Sequence, residues 1–211
     1  DDGARHSEAL ATAISQASPA DEQVKVAAIQ ALGMIGAKDQ AVLVTGLLTD
    51  KSPDVQGAAC LALSGMGEVG TGLAKDIAKR LESDGTRYAG ISALAAMGDE
   101  VCKPFAGDII SKCIADADMQ TRSEALALLA RLPDEVASAA GKLTDLLKDK
   151  NSAVRAAAAL CLGNCGEKAA SHASAVAALL KDEDEDESWL PLQVGGGSTR
   201  EPMAMRKPKC A

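Results

Sequence analysis

The sequence predicts an all-α protein in which one short helical unit recurs along the chain, and three observations predict it. Apolar residues make up 47% of the 211 residues, yet only Tyr88, Phe105 and Trp189 are aromatic, and 42 residues are alanine. Strands fill a pleated surface with β-branched and aromatic side chains, so a sandwich or barrel is disfavoured. Punctuation then recurs: Gly36, Gly67, Gly98, Pro133 and Gly166 follow one another at spacings of 31, 31, 35 and 33 residues. Finally, the dozen residues before each mark align without gaps, the signature of an internal repeat.

Twelve places before each mark stands Val24, Val55, Thr86, Thr121 or Val154. Eight before it the residue is small: Ala28, Ala59, Gly90, Ala125 or Ala158. Four before it is always leucine, at 32, 63, 94, 129 and 162, and the last place holds Ile35, Met66, Met97, Leu132 or Cys165. Steps of three and four trace one face of a 3.6-residue helix, not the alternation of a strand. Each unit therefore predicts a helix of about 14 residues with one buried side. The glycine beyond it suits a left-handed C-cap, and Pro133 stops the fourth helix because it cannot continue the ladder of backbone bonds.

A second apolar pattern lies between these helices. Val42, Leu43, Leu47 and Leu48 are followed by Leu73, Ile77 and Leu81, then by Phe105, Ile109, Cys113 and Ile114. Leu143, Leu146 and Leu147 come next, and Val176, Leu179 and Leu180 last. These predict a first helix per unit, so the repeat reads helix, turn, helix. An incomplete opening copy around Leu10 and Ile14 completes five pairs, and Ala169 to Leu180 begins a sixth. A single pair cannot bury its stripe, but stacked pairs cover one another, so residues 1–181 predict an α-solenoid with repeat ends near 36, 67, 98, 133 and 166.

Asp50, Asp116 and Asp149 close the first helix of their units, and six residues later come Gln56, Arg122 and Arg155. Lys25 and Arg87 hold the same place in the other two units. The stretches Asp-Lys-Asn-Ser-Ala-Val-Arg at 149–155 and Asp-Lys-Ser-Pro-Asp-Val-Gln at 50–56 each precede an alanine-rich helix ending in glycine. They resemble HEAT repeats, and more narrowly the short 31–35-residue type also found in phycobilisome-lyase-like proteins; the resemblance covers roughly residues 8–181. It implies a ladder in which each basic side chain meets the aspartate of its own or a neighbouring turn. The competing reading makes Lys25, Gln56, Arg87, Arg122 and Arg155 a stripe that contacts an acidic partner. Two units depart from the pattern: the third has Asp84 only three places before Arg87, and the first has Pro19 where aspartate would stand. Both are expected to lack the usual pairing.

Catalytic constellations are poorly supported. His6 and His172 are the only histidines, too few for a Ser-His-Asp or Cys-His arrangement or a histidine-rich metal site. The helical-repeat hydroxylase this architecture resembles needs paired His-Glu motifs, whereas here the pairs read His6-Ser7 and His172-Ala173. Gly67 to Gly72 followed by Lys75 imitates a phosphate loop, but no strand precedes it and the lysine spacing is wrong, so it reads as an inter-repeat turn. Cys60, Cys161 and Cys165 stand where sister repeats carry Ile, Ala, Leu or Met and read as core. Cys102, Cys113 and Cys210 lack metal-ligand spacing, and the whole pattern suits the cytoplasm or another reducing compartment.

The net charge is −8, and six of those charges form one run, Asp182 to Glu187. A phosphate-binding surface over the molecule is therefore not expected. No apolar stretch approaches the roughly 20 residues of a membrane span. Beyond the acidic run come Trp189-Leu190-Pro191-Leu192, then Gly195-Gly196-Gly197-Ser198, with prolines at 202 and 208. Residues 182–211 predict a poorly ordered segment, since like charges repel and glycine adds freedom. It reads as an exposed tail, as an insertion before a sixth second helix starting near Met203, or as a docking segment anchored by Trp189. The chain opens on Asp1-Asp2 with neither an initiator methionine nor an apolar secretory segment, which fits a piece of a longer solenoid or larger complex.

These readings predict a non-catalytic protein-binding or scaffold module without metal or cofactor, its partner a protein and not nucleic acid. The alternative is an accessory subunit or enzyme of the phycobilin-lyase-like class.

Overall fold

The computed structural model describes residues 2–18 and 21–178, and among them no residue is in a strand. The five predicted second helices are α2 (Glu22–Met34), α4 (Pro53–Ser64), α7 (Asp84–Met97), α10 (Met119–Leu129) and α13 (Ser152–Asn164). They pack side by side in chain order, α2 on α4, α4 on α7, α7 on α10 and α10 on α13. The first-helix layer is formed by α1 (Asp2–Gln16), α3 (Ala41–Leu47), α5 (Glu68–Thr71), α6 (Ala74–Ala78), α8 (Asp99–Cys102), α9 (Ala106–Cys113), α11 (Pro133–Ser138), α12 (Ala140–Leu146) and α14 (Ala173–Ala178). The chain is an α-solenoid of helical pairs.

Each second helix starts on a capping residue fifteen places before its mark: Asp21, Ser52, Ser83, Asp118 or Asn151. Ser52 Oγ accepts from the Val55 N–H, Asp118 from the Gln120 and Thr121 N–H groups, and Asn151 from the Ala153 N–H. These bonds satisfy donors that the first helical turn leaves unpaired. The glycine stops follow expectation, whereas α10 already ends at Leu129, ahead of Pro133. Gly36, Gly67, Gly98 and Gly166 adopt φ of 62°, 62°, 100° and 55°, a region in which a Cβ would clash. At Gly36 the cap is complete, with Ala37 N–H donating to Leu32 O and Gly36 N–H to Gly33 O, both at 3.0 Å. Pro133 instead opens α11.

The core is one continuous cluster along the array. The small residues eight places before each mark and the leucines four before it are all buried. Close approach is extreme between α2 and α4, where a Cβ on Gly33 would lie 2.5 Å from the Ala62 Cα, so only glycine fits there.

Two expectations fail at particular residues. Val24 and Ile35 are 57% and 52% exposed although their sister residues Val55, Thr86, Thr121, Val154, Met66 and Leu132 are buried. The stripe is covered by the unit before as well as the unit's own first helix, and α2 has only α1 ahead of it. Val42, placed in the apolar face of a first helix, is 88% exposed, because α3 starts at Ala41 after a short 3-10 turn at Lys38–Gln40 and buries Ala41, Val44 and Leu48 instead. The first helices are also broken more than the pattern implies: α5 ends at Thr71 and α6 starts at Ala74, and Pro104 sits in a 3-10 turn, Lys103–Phe105, before α9. The opening copy, in contrast, supplies a full 15-residue helix.

Candidate functional site

The aspartates that close the first helices tie their turns together, and two of them also bind the preceding unit. Asp50 Oδ1 accepts from the Ser52 N–H at 3.0 Å, Asp116 Oδ1 from Asp118 at 2.7 Å and Asp149 Oδ1 from Asn151 at 2.8 Å, which shapes the turn into the second helix. Their backbone carbonyls accept from the side chain six residues on: Gln56 to Asp50 O at 2.6 Å, Arg122 to Asp116 O at 2.7 Å, Arg155 to Asp149 O at 2.8 Å. In Asp50 and Asp116 the other carboxylate oxygen reaches the preceding unit. Lys25 Nζ lies 2.5 Å from Asp50 Oδ2, and Arg87 is ion-paired to Asp116.

The two units expected to lack pairing therefore have it. Lys25 meets the aspartate of the next unit, and Arg87 donates Nε to Leu81 O at 2.7 Å, pairs with Asp84 at 2.7 Å and crosses to Asp116. Leu81 occupies the aspartate's place, and a backbone carbonyl needs no carboxylate to accept. Between the second and third units the polarity is inverted: Arg80 donates to Gln56 Oε1 at 3.1 Å and to Leu48 O at 2.9 Å. The charged ends of the column are thus engaged by the chain itself. Trp189 lies outside the described residues.

Burial separates strong rungs from weak ones. The side chains of Arg87 and Asp116 are 12% and 7% exposed, whereas the surface pair Lys79–Asp76 is 66% and 43% exposed and contributes about 0–0.5 kcal/mol. Lys25, then the Ser52 N–H, holds the Asp50 carboxyl below its ordinary value of 3.8. A depressed folded value means that this contribution is complete above the unfolded value and is lost as pH falls through the folded one. Thermal melts from about pH 5 to pH 2 are expected to destabilise the wild type more steeply than Asp50→Asn. Parallel curves would remove Asp50 from the ladder's energetics.

Opposite the core stripe runs a second stripe. Met34, Leu61, Tyr88, Met119 and Leu160 are exposed, one on each second helix. They stand 2, 6, 10, 14 and 6 places before their marks, so steps of four put them on one side of the row. An open groove of about 440 Å³ crosses this side, with Ala27, Gly57, Ala58, Gly85 and Ala89 as a shallow lining and Glu22, Asp54 and Tyr88 beside them. This face is not legible from residue type, because its positions recur only in spacing.

Burial pushes the thiols of Cys60, Cys113 and Cys161 up to about 12 and that of Cys102 to about 11, so they are not thiolates near neutral pH. Cys60, Cys102, Cys113, Cys161 and Cys165 are all free and buried. His172 Nδ1 is bonded to Thr144 Oγ1 at 2.9 Å. Among the described residues no three His, Cys, Asp or Glu side chains gather as metal ligands, and no helix is long and apolar enough to cross a membrane. The Gly67–Gly72 segment forms the helical turn α5.

Paired helices stacked in order, capped by left-handed glycines and cross-linked by an aspartate ladder, define a helical-repeat solenoid. The family of HEAT repeats matches residues 7–98 and 107–189, and the chain belongs to it. Solved structures agree on the fold. An engineered protein is 18% identical over 83% of this chain and 90% of its own, with a TM-score of 0.54. A designed armadillo repeat protein in complex with the peptide (KR)4 is 20% identical over 85% of this chain and 94% of its own, with a TM-score of 0.51. A mutant of Kap121p is 18% identical, with a TM-score of 0.55, and is covered over 22% of its length by 85% of this chain. No curated protein matches the chain. The narrower phycobilisome-lyase-like type has no support in these matches.

Proposed function

We propose that the protein is a non-catalytic protein-binding module that holds a partner on the shared side of its second helices. The observation carrying this reading is the uncovered stripe of Met34, Leu61, Tyr88, Met119 and Leu160, since an exposed apolar side chain on the same side of each successive helix of a solenoid suits an interaction surface. The armadillo neighbour solved with a peptide fits it. Lys25, Gln56, Arg87, Arg122 and Arg155 serve as the mount: their hydrogen bonds set the spacing of the helices that meet the partner. Five free, buried thiols favour a reducing compartment.

A photo-cross-linking residue at position 127, exposed on α10, tests the reading against one at position 75, exposed on α6. In an extract of the source, capture of one protein from position 127 and not from 75 is expected. Capture from neither, or equally from both, overturns it.

A further inference from the structure

We infer that the groove across α2, α4 and α7 takes an extended, lysine- or arginine-bearing segment of the partner, an inference that rests on the protein-binding reading above. The charge distribution carries it. Every described lysine except Lys25 lies outside the five second helices. The bases these helices do carry, Lys25, Arg87, Arg122 and Arg155, all donate to acceptors in the chain. No base lines the groove, whereas Glu22 and Asp54 do, and neither of them forms an ion pair among the described residues. The groove is thus negative although the chain outside the run Asp182–Glu187 is nearly balanced in charge.

Shape selects the form of the ligand. Ala27, Gly57, Ala58, Gly85 and Ala89 lie in the groove between Val26, Pro53 and Leu61, so a backbone can approach closely over them. Tyr88 is 43% exposed beside them and offers its ring to a lysine stem or a cationic head. Packed helices stand roughly 8–10 Å apart. An extended polyproline-type segment repeats its side-chain direction every three residues, about 9 Å, so basic residues three apart face successive helices.

The test titrates a fluorescent (Lys-Ala-Pro)4 peptide into the full chain and follows polarisation. Saturable binding that weakens with salt is expected, together with about tenfold weaker binding to the E22Q/D54N variant, the sum of two exposed ion pairs. Tyr88→Ala is expected to weaken binding severalfold, and neutralising Asp182–Glu187 to leave it unchanged. All substituted groove residues are exposed, and circular dichroism melts check that the variants fold. Equal binding of (Glu-Ala-Pro)4, indifference to E22Q/D54N, or loss on neutralising Asp182–Glu187 overturns the inference. If the lysine peptide fails while position 127 still captures a protein, only the basic chemistry of the ligand falls. If position 127 also captures nothing, the protein-binding reading falls with it.

Discussion

Leu94→Ala is expected to lower stability by about 2–5 kcal/mol, through the lost transfer free energy of the side chain and the cavity left behind. Leu94 is fully buried on α7, the middle one of the five second helices, which packs against α4 on one side and α10 on the other. In a solenoid, stability is close to a sum of unit terms and nearest-neighbour interfaces, so damage at the centre weakens two interfaces together. Urea unfolding should show both a lower midpoint and a shallower transition, as the two ends of the array begin to unfold separately. A substitution that leaves the midpoint in place would displace Leu94 from the core and with it the alignment of all five units.

Arg87→Leu is expected to cost about 2–4 kcal/mol, several times what an exposed ion pair contributes. The leucine fills much of the same space but leaves the Asp116 carboxylate, 7% exposed, without its cation. The Leu81 carbonyl loses its donor as well. Uncompensated burial, not the lost attraction alone, sets the size of the effect. The double variant Arg87→Leu/Asp116→Leu should therefore be less destabilised than the sum of the two single ones. Additive single and double variants in equilibrium unfolding would show that the pair is energetically independent.

Those two residues also show how much of the fold could be read in advance. Leu94 was legible because a leucine four places before the mark repeats in every unit, and burial within a unit follows from its own helical period. Gly36, Gly67, Gly98 and Gly166 were legible for a similar reason: a left-handed cap excludes almost every other residue. The partner of Arg87 was not. The ladder crosses from one unit to the next, and offsets counted within a unit cannot say which neighbouring aspartate a long side chain will reach. Val24, Ile35 and Val42 misled for a related reason, because what covers them depends on the element beside them and on where a short helix starts. At the candidate binding face the column Lys25 to Arg155 drew attention through its charge, yet its charges are engaged by the chain. The uncovered stripe from Met34 to Leu160 carries no common residue type, so nothing in composition singled it out.

The inverted rung between Gln56 and Arg80 makes the junction of the second and third units unlike the junctions on either side of it. Sister repeats this alike can pair with the wrong copy while folding, a characteristic failure of repeat arrays. If the first unit docked one place too far along, Lys25 would face Arg80 instead of Asp50, cation against cation. If the second did so, Gln56 would stand before Asp116 with no cation to offer it. The order of the units is thus enforced by side-chain charge as well as by the covalent chain, and mispaired assemblies are penalised at the junction where they first form.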